Sequence, residues 1–352
     1  MKERSYGLDL YRIMAMLMIT ALHVNYQHCN LLNNWTLPGG LRCAGVIIEY
    51  ICFAGVNCFA MLSGYVMGNA YTGYDRRWGY RCVSFWSRMV FWGVFLFLLV
   101  FCVFPGGREY PFDFTGTFFP FIGFWWYISA YCGLLILMPL LSAGVNQLPV
   151  RQIVILLLTM PVFFSVIPAL GKSYGFLGLN NGYSTLWLAI CFIYGVSLKK
   201  LAAQILEIKR INLILILLLL ASIVVPVTLE LTMNIRYMEY TTLFCVVESA
   251  CLLLLFLQIR ISSKRVAKMV AFVSSNSLGI YLVQNYPYFW ENYIIRHDPP
   301  IYEPVKYLWY LPGVILLLMI IGVMVNFIVD HLYKFSGCDR LCRLLLPSDD
   351  RR

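Results

Sequence analysis

The stretch Leu8-Asp9-Leu10-Tyr11-Arg12-Ile13-Met14-Ala15-Met16-Leu17-Met18-Ile19-Thr20-Ala21-Leu22-His23 is apolar except for a few polar and ionisable side chains. Its length and its Leu, Ile, Met and Ala content predict a membrane-spanning helix. Eleven residues at about 100° each end about 20° past three full turns, so Arg12 and His23 share one helix face roughly 16 Å apart. Ionisable groups at such depth are costly to bury, so they face a cavity or a partner and mark a site.

Similar apolar runs fill the rest of the chain. Of its 352 residues, 61% are hydrophobic and only 12% charged, with a mean hydropathy of +0.74. That composition excludes a soluble globule and predicts an all-α, polytopic membrane helix bundle. Long apolar segments fall at 7–27, 42–68, 84–104, 122–143, 152–170, 183–198, 211–229, 240–258, 272–294 and 308–332, which predicts ten spans.

The basic residues orient the bundle, because cytoplasmic loops hold the excess of Lys and Arg. A cytoplasmic N-terminus puts Lys2, Arg4, Arg76, Arg77, Arg81, Arg88, Arg151, Lys199, Lys200, Lys209, Arg210 and the basic runs at 260–268 and 334–352 on that side. Arg42, Arg108, Lys172, Arg236, Arg296 and Lys306 are left outside. Both termini are therefore expected in the cytoplasm, and the net charge of +10 reads as topology rather than nucleic-acid binding. The first span carries Asp9 and Arg12 and lacks a small-residue cleavage site, so it is expected to stay attached. The 12 cysteines have irregular spacing and no CxxC, which predicts small buried hydrophobes and no metal site.

Polar groups inside the spans are the functional candidates. Asp9 and Arg12 stand at i and i+3, as an interfacial ion pair or as part of a binding site. His23 reads either as an interhelical hydrogen-bonder or as a proton acceptor, since imidazole exchanges a proton near neutral pH. Ser63 closes a small-residue run suited to close helix contact. Glu49 and Glu248 are candidates for a proton path or for ion pairs between helices. The segment with Ser274, Ser275, Asn276, Ser277, Gln284, Asn285 and Glu291 is too polar to face lipid and is expected to line a cavity. Aromatics at span ends fit an interfacial belt or sugar stacking.

These residues together resemble the acyltransferase-3 family of integral membrane O-acyltransferases. The likeness rests on Arg12, ten residues and then His23, and on Phe59-Ala60-Met61-Leu62-Ser63-Gly64-Tyr65. It continues through the basic segment Arg76 to Arg88, through Trp126-Tyr127-Ile128-Ser129-Ala130-Tyr131 to Leu137-Met138-Pro139-Leu140, and through Ser275-Asn276-Ser277-Leu278-Gly279-Ile280-Tyr281-Leu282-Val283-Gln284. The chain departs from the family at Gln284, where a His is common, and in lacking a clean R-x-x-R before the third span. Gln284 hydrogen-bonds but exchanges no proton near pH 7.

The resemblance implies a transmembrane acyltransferase domain over 1–335, followed by a cytoplasmic basic tail over 336–352, in the cell membrane. It implies an acetyl or short acyl group taken from acetyl-CoA or another acyl-CoA and placed on a hydroxyl of a cell-surface or lipid-linked glycan. His23 would be the base and Arg12 its partner in binding or charge stabilisation. Arg76, Arg77, Arg81 and Arg88 would bind the CoA phosphates, and Asp9, Ser63, Asn276, Gln284 and Glu248 would line the cavity. The alternative is a transporter or flippase of a glycolipid or small solute, although no inverted repeat is visible.

Overall fold

A computed structural model describes residues 4–29, 39–70, 73–171, 173, 176–295 and 304–345. Lys2, Lys172, Arg296 and tail positions 346–352 lie outside the described residues. Among those described, the regular structure is helical throughout, with no strand.

Among the described residues nine helices are long and apolar enough to cross a membrane: α1 (Tyr6–His28), α2 (Gly39–Met67), α3 (Arg76–Val103), α4 (Trp126–Gln147), α5 (Val150–Leu170), α6 (Thr185–Leu206), α7 (Ile211–Met233), α9 (Lys264–Gln284) and α10 (Lys306–Phe335). The expected segment at 240–258 forms the shorter helix α8 (Leu243–Phe256), of 14 residues. At 1.5 Å per residue α8 rises about 21 Å, less than the hydrocarbon thickness. A final helix, α11 (Cys338–Leu345), packs against the start of α3. Its Asp339 accepts a hydrogen bond from the Tyr80 hydroxyl at 3.3 Å.

The helix ends are written locally. Asp75 caps α3 by accepting from the Trp78 amide at 2.8 Å, and Ser184 caps α6 by accepting from the Trp187 amide at 3.2 Å. Lys200 Nζ donates to the carbonyls of Asn146 and Leu148 at 2.8 and 2.9 Å, satisfying the free end of α4. The α geometry of α1 gives way at His23 to a π-helical turn over His23–His28, the kind of local widening that recurs at functional sites.

Burial separates centre from rim. The most apolar windows of α2 and α6 are 72% buried, against 17% in α7 and 22% in α5. The lipid-facing helices are thus the uniformly apolar ones, and the central helices carry the small and polar residues. Gly64 on α2 and Gly195 on α6 explain why these two pack so closely. A Cβ on Gly64 would strike the Phe192 carbonyl, and one on Gly195 would strike that of Met61. Small residues let helices associate where lipid removes the hydrophobic drive between them. Trp92, Trp125, Trp187 and Phe192, each at most 1% exposed, fill the core around this seam.

Candidate functional site

Two chambers flank the centre of the bundle. The first, about 710 Å³, opens toward the end of the bundle where α3 begins and α6 ends, the end rich in Lys and Arg. Arg12, Ser63, Arg77, Arg81 and Arg88 line it. It runs along α2 from Phe59 to Ala70 and along α4 from Leu135 to Tyr127. The second, about 730 Å³, lies toward the opposite end and is lined by His23, Glu49, Trp126, Tyr240, Trp290 and Glu291, among others. Tyr127 faces the first chamber and its chain neighbour Trp126 the second. The two spaces therefore approach each other at the first turn of α4.

In the basic chamber Arg12 is held from two sides. Its Nη1 donates to Ser274 Oγ at 3.0 Å and lies 3.8 Å from Asp9 Oδ1. Asp9, 6% exposed, also accepts from Arg4 Nε at 2.6 Å, Arg4 Nη2 at 3.1 Å and Ser274 Oγ at 2.7 Å. A carboxylate with that many donors is well compensated for burial. Hydrogen bonding to Asp9 raises the pKa of Arg4 and keeps its guanidinium charged. Arg88 pairs with Asp330 at 3.0 Å and lies over the Tyr333 ring, and Arg81 rests against the Met67 sulfur. The Ser63 hydroxyl donates to its own helix at Phe59 O, 3.0 Å away. Arg76 is the one expected donor-site arginine that is not among the residues lining this chamber.

The second chamber surrounds His23. Its ring meets Trp290 edge-on, with centroids 5.0 Å apart and planes at 85°, and Nδ1 is buried with no hydrogen-bond partner. Gln284 is the polar side chain beside this imidazole. Its Nε2 donates to Thr20 Oγ1 at 3.4 Å. Glu49, 1% exposed, accepts from Asn25 Nδ2 at 2.6 Å, and Asn25 Oδ1 accepts from the Tyr307 hydroxyl at 2.7 Å.

An aromatic layer stands between the two spaces. The Phe59 and Tyr127 centroids are 6.5 Å apart, and those of Tyr127 and Tyr281 6.0 Å apart. The Tyr127 amide donates to the Tyr281 hydroxyl at 3.2 Å. On the far side Trp126 stacks on Tyr240 at 6.0 Å and 19°.

Of the five expected cavity residues, Ser63 lines a chamber, Asp9 and Gln284 stand behind Arg12 and His23 and line neither, and two stand elsewhere. Asn276 faces α10, accepting from Asn326 Nδ2 at 2.8 Å while its own amide donates to Phe272 O, also at 2.8 Å. Glu248 is buried near Cys52, Cys58 and Tyr11, between α8, α1 and α2. Their polarity signalled contact between helices, and only the packing separates that from a cavity. The polar segment of α9 does reach both chambers, through Leu278 to the first and through Asn285, Trp290 and Glu291 to the second. Sequence reasoning missed Ser274 as the ligand of Arg12 and Glu239 as a wall of the second chamber. Glu239 sits between two apolar runs, and its charge was the available signal. The cysteines are all free, and no metal-holding group of His, Cys, Asp and Glu is found among the described residues.

A helical bundle in which a partly buried arginine and a partly buried histidine on one span each open to a separate chamber defines a polytopic membrane protein with an internal site. The acyltransferase domain of the acyltransferase-3 family matches residues 5–328, and the chain belongs to that family. It is a multi-pass membrane acyltransferase. No curated protein and no solved structure matches the chain.

Proposed function

We propose that the protein moves an acetyl or other short acyl group from acyl-CoA in the basic chamber to a hydroxyl of a cell-surface or lipid-linked glycan in the aromatic chamber. The observation that carries this reading is the placement of Arg12 and His23. One helix sets a guanidinium in one chamber and an imidazole in the other, on either side of a single aromatic layer.

The excess of Lys and Arg at the basic end supports a cytoplasmic position for it in a cell membrane, on the side where acyl-CoA is made. Arg77 lies in the first turn of α3, where the helix dipole already disfavours a cation, and Arg81 and Arg88 follow at later turns of the same helix. An anionic ligand relieves that conflict, and the fork of each guanidinium matches the phosphates of CoA. The lining of the basic chamber extends from those arginines to Tyr127, a course along which the pantetheine arm would bring the thioester to the aromatic layer.

His23 then acts as general base. As the acceptor oxygen attacks the thioester carbonyl, the imidazole takes the hydroxyl proton. The C–S bond breaks, and the proton passes to the leaving thiolate, giving an ester and free CoA thiol. A positioned imidazole contributes about 10² to 10⁴-fold to such a step. Gln284 orients the ring without competing for the proton. Arg12 orients the donor from below, with Asp9 and Ser274 fixing its direction.

The test uses purified full-length protein supplied with acyl-CoA and a hydroxyl acceptor, following free thiol and acylated product. Thiol release that depends on acceptor, and that falls at least about 100-fold in His23→Ala at normal expression and thermal stability, is the expected result. Undiminished transfer by that variant removes His23 from the chemistry. Transport of a glycolipid with no thioester consumed favours the transporter reading instead.

A further inference from the structure

We infer that the aromatic chamber admits an acceptor bearing hydroxyls and no negative charge, a neutral or amino-bearing polyol ring rather than an acidic sugar. The term acceptor rests on the acyl-transfer reading; the charge preference rests on the chamber walls alone.

Three carboxyl groups, those of Glu49, Glu239 and Glu291, line this space with His23. Among the described lining residues the one Lys or Arg side chain is Arg236. That cation is already engaged, with Nε and Nη2 3.1 and 3.0 Å from Glu230 Oε1. Glu230 is fixed in turn by the Tyr50 hydroxyl at 2.8 Å, and Tyr50 accepts from the Tyr237 amide at 3.0 Å. Freeing Arg236 for a ligand would leave a carboxylate that is 1% exposed without its partner, the costly half of breaking a buried pair.

An anionic acceptor would thus leave water for a space where the one cation among the described lining residues is held by Glu230 and several carboxyl groups stand nearby. A hydroxyl-rich ring meets the opposite situation. Its O–H groups need acceptors, which the carboxyls supply, and its C–H faces suit the rings of Trp126, Tyr183, Tyr240 and Trp290. Glu49 is already oriented by Asn25. The unpartnered Nδ1 of His23 shows that the histidine has hydrogen-bonding capacity the protein does not use. Partial burial lifts the Glu239 carboxyl to about 7, so an anion placed beside it would add to an existing reluctance to ionise.

Three glycosides of one ring shape test this: methyl glucopyranoside, its 2-amino analogue and the corresponding methyl glucuronide. Binding to the full-length protein is followed by tryptophan fluorescence, since Trp126 and Trp290 line the chamber. The neutral and amino forms should bind at least about tenfold more tightly than the glucuronide, and Glu239→Gln should shrink that ratio by about threefold or more. Glucuronide binding as tight as the glucoside overturns the inference, and so does the absence of binding by all three. The same glycosides are then offered with acyl-CoA. The expected charge order in binding with no thiol released sinks the acyl-transfer reading and leaves the charge selectivity standing. Transfer that prefers the glucuronide does the reverse.

Discussion

Arg12 Nη1 donates to Ser274 Oγ across 3.0 Å, and this contact ties α1 to α9 at the side of the basic chamber. The Ser274 hydroxyl donates its own hydrogen bond to Asp9 Oδ1 at 2.7 Å, so one hydroxyl aligns cation and carboxylate together. Removing it should loosen Arg12 without emptying the site. Ser274→Ala is expected to cost about 1–2 kcal/mol of stability and to raise KM for acyl-CoA several-fold. Thermal unfolding in detergent and steady-state kinetics read the two effects. A variant with unchanged KM and unchanged melting temperature would remove Ser274 from the support of Arg12.

The double variant Arg77→Ala, Arg81→Ala tests the donor end. Each charge-assisted contact to phosphate contributes about 1.5–3 kcal/mol, so KM for acyl-CoA should rise at least about tenfold per residue, with kcat changed far less. A fall in kcat at constant KM would place these arginines in the transition state rather than in donor binding.

The α2–α6 seam allows no side chain at its glycines. Gly195→Leu forces a side chain into the Met61 carbonyl and should lower stability by about 3 kcal/mol or more, through overpacking that the helices relieve only by separating. Loss of the monodisperse peak in size-exclusion chromatography, or a drop in melting temperature of several degrees, is the expected outcome. A stable, fully active variant would show that the two helices do not need this approach.

Glu239 lies outside the spanning segments, and burial lifts its carboxyl from the ordinary 4.5 to about 7. In the unfolded chain the group ionises near its ordinary value, so folding takes up a proton between the two. Its contribution to stability is therefore full below about pH 4.5 and is lost as pH rises through about 7. Glu239→Gln should flatten that decline. Melting temperatures of the two proteins are compared from pH 4.5 to 8, and curves that run parallel throughout would show that Glu239 is solvated normally.

Much of this was legible in the residues. Hydropathy alone gave the spanning segments, with two departures: at 240–258 the helix covers only Leu243–Phe256, and the segment expected at 272–294 spans over Lys264–Gln284, with Pro287 to Ile294 in separate short helices. A hydropathy window registers apolar content and does not sense that Thr242 already caps the helix or that the chain leaves it after Phe256. The Arg12 and His23 pair was found by helical phase. Asn276 and Glu248 were not separable from cavity residues, because a buried polar side chain that bonds to a neighbouring helix has the same sequence signature as one facing a void. Ser274 gave no signal of its own, since a serine among serines in α9 reads as generic polarity until Arg12 is seen to reach it.

The order of residues by itself determined that this chain crosses a membrane many times, and which face of α1 is polar, because transfer of apolar surface and the 3.6-residue period are both local properties. Which helix that face meets was decided only in three dimensions. The two chambers, the clamp of Ser274 and Asp9 on Arg12, and the hold of Tyr50 on Glu230 arise where segments far apart in the chain come together, 265 positions for Ser274 and Asp9. Such contacts depend on the joint packing of several helices, and no single stretch of sequence contains the information that sets it.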